Sequence, residues 1–491
     1  MRAKTWTGMI LGLVLILCAA AAARGDTADE YLDKAKSAQR MGEHDKVIDL
    51  LTRAVRAGAA TADTFFRRGL AYEKMGKYEE AIQDYTRAVK MDSGLSTAFN
   101  NRGSAYYRLR RYDEAIQDFT NAIKLNPSYA LAYYNRGNAY HGKGDLNRSI
   151  EDFSKAIEID PSDPDAYNNR GWALIQNHEP AKAIKDFNQA LNINPQYTLA
   201  YYNRGNARLK TGDNDGAVKD FSRAIELNPD YALAYYQRGN AHFGKDDLDE
   251  AIEDYNKAVR IDPRFPDLYN NRGWVFFKKG NVAQALRDVS KAITMNPQLA
   301  RAYVNRGWIY KSRGECARAI QDFTQSLDLE PDNPDVYVYR SECRRDTGNM
   351  ESAVKDLETA AKLDPENRDV LLSLGGLKEL SGDYNAAVEI FSKLVAGRPD
   401  DPDAHFNLGM ALGKQGRIRE AVKQFSRTIE IDPRHREAHL NRAIAYEFLG
   451  DAVRSRADFG KALHLPESKR SGFSFRQPVS TTHVREMLSA Q

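Results

Sequence analysis

Apolar and polar residues follow a helical period along this chain, and the whole pattern then recurs every thirty-four residues. In the block from 130 to 163, ALAYYNRGNAYHGKGDLNRSIEDFSKAIEIDPSD, non-polar positions fall three, four and seven apart in two separate stretches. That spacing marks one buried face on each of two helices. With Ala130 as position one, a small residue recurs at the eighth position (Gly103, Gly137, Gly171, Gly205, Gly239, Gly273, Gly307) and another at the twentieth (Ala81, Ala115, Ala183, Ala217, Ala251, Ala285, Ala319). Large groups fill the space between, with Tyr106 and Tyr140 at the eleventh position and Phe119, Phe153, Phe187 and Phe221 at the twenty-fourth. Small residues at fixed offsets from large ones predict two helix backbones in close approach.

Breakers punctuate the period. Gly76, Gly144, Gly212, Gly280, Gly314, Gly348, Gly382, Gly416 and Gly450 mark the turn inside a block, as expected at a helix C-terminus. Pro127, Pro161, Pro195, Pro229, Pro263, Pro297, Pro331, Pro365, Pro399 and Pro433 stop the second helix from running on. Asp163-Pro164, Asn333-Pro334 and Asp401-Pro402 put a capping residue before a proline at the first helical position, where a helix tolerates proline best. Blocks therefore start at 28, 62, 96, 130, 164, 198, 232, 266, 300, 334, 368, 402 and 436, and the array spans 28–469. The expected fold is all-α: a solenoid of stacked helix pairs with atypical end blocks, such as the first, which has Ala35 and Ala59 where glycine and proline would stand.

Tyr at position four, Gly at eight, Tyr at eleven, Ala at twenty, Phe at twenty-four, Ala at twenty-seven and Pro at thirty-two resemble the tetratricopeptide repeat over nearly all of 28–469. The resemblance implies a right-handed superhelix whose first helices line a concave face, with positions two, five, six, nine, twelve and thirteen turned into it. It also implies a non-catalytic scaffold that holds extended segments of a partner protein. A subunit of a cell-envelope assembly that uses its convex face or its ends, or a regulatory partner of a separate enzyme, are the alternatives.

One departure from the family explains itself. Ten blocks carry Arg at the seventh position, where the family usually has leucine, and the same ten carry Asp at the twenty-third, among them Arg136 with Asp152, Arg204 with Asp220 and Arg272 with Asp288. The other three lose both together, as Lys34 with Leu50, Leu374 with Ile390 and Leu408 with Gln424. A half-buried guanidinium needs a carboxylate, so a structural ion pair across each block is expected rather than a row of phosphate-binding arginines.

On the expected concave face, position six holds Asn101, Asn135, Asn169, Asn203, Asn271 and Asn305. Positions five and nine add Tyr134, Trp172, Tyr202, Tyr236, Trp274 and Trp308. Two readings are open. Amides and rigid aromatics suit the backbone and side chains of an extended peptide; the same residues also suit contacts between successive blocks. Position five lacks the lysine with which co-chaperone members of the family grip a C-terminal carboxylate, so that mode is not supported.

Composition narrows the function further. Charged residues make up 28% of 491, yet net charge is only +3, which gives no electrostatic footprint for nucleic acid. No metal or cofactor site is expected, because the nine histidines are scattered and lack a ligand spacing; Arg434, His435, Arg436 and His439 read as solvated charge at a helix start. Cys316 and Cys343 fall on packing positions of consecutive blocks, open either to a disulfide or to plain burial. Residues 1–25, with Arg2 and Lys4 before the apolar run Met9 to Cys18 and Ala19 to Ala23, have the layout of a signal peptide. They predict export to the periplasm or outside the cell, with an uncleaved anchor or a lipid on Cys18 as alternatives. Residues 470–491 form a polar tail.

Overall fold

The computed structural model describes residues 26–466; the expected signal segment, Cys18 and the tail lie outside them. Twenty-six α-helices and no strand are present among the described residues, running from Ala28–Arg40 to Ala452–Leu463. They come in antiparallel pairs. Ala130–Lys143 and Leu146–Ile159 form the fourth repeat, and Pro164–Gln176 and Pro180–Ile193 the fifth. The chain divides into two compact halves between Asp247 and Leu248, within the seventh repeat. In each half every helix packs on its chain neighbours, and first helices of successive repeats also touch.

The core of a repeat is a ring laid against a missing side chain. A Cβ added at Gly103 would stand 2.8 Å from Phe119, and one at Gly205 would stand 2.6 Å from Phe221. Where the second helix carries Val289 instead, it closes on Gly273 in the same way, at 2.7 Å. Ala115, Ala183, Ala217 and Ala285 on the facing helices are fully buried. Close approach of backbones is what lets such short helix pairs bury apolar clusters in each half.

Turn chemistry follows the sequence with one addition. The glycines at the internal turn take positive φ, for example Gly76 at 73° and Gly144 at 86°. Three repeats make the same left-handed turn without glycine, at Arg110 (58°), His178 (60°) and Asp246 (64°). Proline occupies a first-turn position in Pro164–Gln176, Pro266–Lys278, Pro334–Asp346 and Pro402–Lys414. Asp163 and Asp401 cap their helices, accepting from Asp165 N at 2.9 Å and from Asp403 N at 2.9 Å. Asn333 makes no such bond; that helix starts with Pro334 at its first position and Asp335 in its first turn. No helix among the described residues is long and apolar enough to cross a membrane.

Candidate functional site

The arginines at position seven are spent on the fold. Arg136 Nε donates to Asp152 Oδ2 at 2.7 Å and Nη2 to Oδ1 at 2.8 Å. Arg204 meets Asp220 at 2.9 and 2.6 Å, and Arg272 meets Asp288 at 2.7 and 2.9 Å, in the same fork. Arg68, Arg102, Arg170, Arg306, Arg340 and Arg442 repeat the geometry with Asp84, Asp118, Asp186, Asp322, Asp356 and Asp458. Arg238 and Asp254 fall in different halves.

Each fork has a third tine. Nη1 of Arg136 donates to Thr120 Oγ1 at 3.0 Å, and Nη1 of Arg204 and Arg272 to Asn188 and Asn256 at 2.7 Å, on the second helix of the preceding repeat. A Thr, Ser or Asn sixteen residues before the arginine is the sequence signal for this bond. The guanidinium also lies over the aromatic ring at position four, 5.6 Å from Tyr133 for Arg136. One side chain thus ties three helices, which leaves no free fork for an anion. Burial disfavours the Arg136 charge, and the bonds to Asp152 more than offset it, holding the guanidinium above its ordinary value. At Asp458 burial pushes upward, but Arg442 and His439 together pull the carboxyl down to about 2.

On the first helices, the position-six amides bond sideways. Asn135 Nδ2 donates to Asn100 Oδ1 at 3.0 Å, Asn203 Nδ2 to Asn168 Oδ1 at 2.9 Å, and Asn305 Nδ2 to Asn270 Oδ1 at 2.9 Å. Asn169 Nδ2 donates to Tyr134 Oη at 2.9 Å and Asn138 Oδ1 at 3.1 Å, which uses both of its N–H bonds. Asn101 and Asn271 accept from the neighbouring Asn100 and Asn270. The row is a ladder from position six of one repeat to position five of the repeat before it. Its acceptors, Asn100, Asn168, Asn270 and Tyr134, carry as much of the arrangement as the expected donors. The dipeptides Asn100-Asn101, Asn168-Asn169 and Asn270-Asn271 are the signal for them.

The aromatics separate into packed and open. Tyr134 and Tyr202 lie 5.7 and 5.8 Å from Phe153 and Phe221, and Tyr236 is buried. Trp274 sits 5.3 Å from Phe277. Trp308 meets Tyr339 of the next repeat edge-on at 4.7 Å, with Lys311 Nζ 4.3 Å from its ring centre. Trp172 alone of these three tryptophans is exposed, at 37%. Leu131, Leu199 and Leu233, at position two of the fourth, sixth and seventh repeats, are exposed at 50%, 42% and 44%. The N-terminal half therefore offers four open apolar side chains on four consecutive first helices, beside the polar ladder.

Two other expectations change. His435, Arg436 and His439 are not solvated: they are 3%, 6% and 3% exposed, and only Arg434 of that group lies open. His435 stacks on Phe406 at 4.5 Å, Arg436 Nε donates to the Ala462 carbonyl, and His439 lies between Asp458 and the Pro433 carbonyl. His405 does in the twelfth repeat what the ion pair does elsewhere, with Nδ1 2.7 Å from Gln424 Oε1. Cys316 and Cys343 are free thiols packed into one apolar cluster. Among the described residues no three His, Cys, Asp or Glu converge as metal ligands.

Profiles of the tetratricopeptide repeat match residues 62–94, 100–164, 164–197, 202–264, 254–287, 305–368, 344–405 and 379–443, together most of the chain. The chain belongs to the tetratricopeptide repeat family. It is a tandem tetratricopeptide array of the protein-interaction scaffold class, in a family whose members are typically not enzymes. No curated protein matches the chain in sequence. Among solved structures, the array is similar to YrrB, described as a TPR protein with an unusual peptide-binding site, at 25% identity, TM-score 0.34, covering 36% of this chain and 92% of that one. It is also similar to MamA from Desulfovibrio magneticus RS-1 (22% identity, TM-score 0.34, 36% and 99% covered) and to yeast Tom70 (18%, 0.37, 80% and 96%).

Proposed function

We propose that the first-helix face of the fourth to seventh repeats holds an extended segment of a partner protein, and that the chain acts by holding rather than by catalysis. The observation that supports this most is Trp172, 37% exposed on a face whose neighbouring aromatics are packed away. An exposed indole offers large contact area at little cost in side-chain entropy, and such residues dominate binding energy where they are found. Leu131, Leu199 and Leu233 add apolar contact, while the amide ladder holds the helices that carry them at fixed spacing. Asn169 donates both side-chain N–H bonds within the ladder and accepts from Asn168 at its Oδ1, so it serves this site by bracing it.

Trp172→Ala in the full chain is expected to weaken partner capture by at least about tenfold, a loss of roughly 1.4 kcal/mol or more. Trp308→Ala, which removes a ring already engaged by Tyr339 and Lys311, is expected to leave capture unchanged. Capture that survives Trp172→Ala but fails with Trp308→Ala contradicts the assignment. The layout of residues 1–25 supports a place of action outside the cytoplasm. Cell fractionation, with N-terminal sequencing of the mature chain, tests that directly: a chain found in the cytoplasm with residues 1–25 intact opposes it.

A further inference from the structure

Cys343 lies in the first helix of the tenth repeat, Pro334–Asp346, and is fully buried among Ala319, Phe323, Leu327 and Val336. Cys316 is the first residue of Cys316–Leu329, the second helix of the ninth repeat, and is only partly covered as it packs against the same cluster. Burial first, and then a hydrogen bond shared with the Cys316 thiol, push the Cys343 thiol up to about 12. The two thiols, on helices from different repeats, pack into one apolar cluster, the juxtaposition a disulfide needs because it tolerates little separation of its Cα atoms.

The same joint carries two more cross-repeat contacts. Trp308 meets Tyr339 edge-on, and Lys311 pairs with Glu342, the residue before Cys343. Trp308, Tyr339 and Cys316 all pack against the apolar cluster that holds Cys343. A covalent bond there ties the first helix of the tenth repeat to the second helix of the ninth.

We propose that Cys316 and Cys343 form a thiol–disulfide modification site that staples the ninth repeat to the tenth. The oxidant is a small disulfide of the glutathione class. Cys316, the solvent-reachable partner, attacks one sulfur of that disulfide as the thiolate, forms a mixed disulfide and expels one thiol. Cys343 then attacks the Cys316 sulfur and expels the second thiol. Two protein thiols are oxidised to one disulfide, one small disulfide is reduced to two thiols, and the two protein S–H protons end on the released thiols. Cys343 resolves rather than initiates, because its sulfur is shielded and holds its proton.

The test is incubation of the full folded chain with oxidised glutathione, followed by peptide mapping without reduction and by hydrogen exchange over Pro334–Asp346. The expected result is one intramolecular link joining the Cys316 and Cys343 peptides, with exchange over that helix slowed several-fold. Cys343→Ser should stop the reaction at a mixed disulfide on Cys316, and Cys316→Ser should slow modification of Cys343 more than tenfold, with circular dichroism unchanged in both variants. A wild-type chain that keeps the mixed disulfide, links to a second chain or does not react overturns the proposal. So does a link that forms while leaving exchange over Pro334–Asp346 unaltered.

Discussion

Gly205 and Gly460 both sit inside helices, yet alanine should have opposite effects at the two positions. Glycine costs a helix interior about 0.5–1 kcal/mol relative to alanine. At Gly460 nothing lies within 4 Å of an added Cβ, so Gly460→Ala should raise stability by about that amount. At Gly205 the Cβ meets the Phe221 ring at 2.6 Å, and overpacking of about 1–3 kcal/mol outweighs the helix gain. Denaturant melts of the two variants check the sign. The ion pairs separate in a similar way. Arg136→Leu strands Asp152 and should cost about 3 kcal/mol, while Arg136→Leu with Asp152→Leu should cost about 1 kcal/mol or less. Arg204→Leu should be milder than Arg136→Leu, because Arg208 Nη1 stays 2.8 Å from Asp220. Equal costs for single and double variants would refute the pairing as the cause.

The Asp458 carboxyl titrates in the folded chain near 2, below its ordinary value. A depressed carboxylate stabilises the fold fully above its unfolded value, near 4, and the contribution fades as pH falls toward 2. Hydrogen exchange of Ala452–Leu463 should therefore accelerate between about pH 4 and pH 2, and Asp458→Asn should flatten that dependence. An unchanged slope in the variant would place the acid sensitivity elsewhere.

At the scale of the element, the helix pair was legible because each of its parts answers to a local rule. The Gly–Phe offset, the Ala positions and the breakers all act within one block of chain, and the helices stand where that pattern puts them. What one block does not contain is its neighbour's lateral register. The sideways bonds of Asn135, Asn169, Asn203 and Asn305, and the third bond of each arginine, join residues about one repeat or half a repeat apart. Only a pattern read across blocks, such as Asn168-Asn169 followed by Asn203, announces them. Burial of the His435 group is hidden for a related reason: a polar run at a helix start reads as exposed unless Phe406 of the preceding repeat is known to lie against it. The left-handed turns at Arg110 and His178 are likewise unmarked, since neither residue type favours that conformation. Arg110→Gly and His178→Gly remove Cβ strain and should each raise the unfolding midpoint, by about 1 kcal/mol in free energy.

For the molecule as a whole, stability is a sum over repeats and their nearest-neighbour contacts, so its function lies in what a run of repeats presents in common. The arginine forks are shared by nearly every repeat and face inward, and the eleventh and twelfth repeats replace them with Leu374 and Leu408, which are buried in apolar clusters. Neither arrangement distinguishes one stretch as a site. The proposed stretch rests instead on exposed Trp172, Leu131, Leu199 and Leu233, which lie on four consecutive first helices. Site-specific photo-crosslinking in whole cells tests that most directly, with the crosslinker placed at Trp172 on a first helix or at exposed Gln189 on the second helix of the same repeat. The account predicts adducts of one partner from position 172 and none from 189. Adducts from 189 alone would contradict it and favour an assembly subunit that docks through its outer helices.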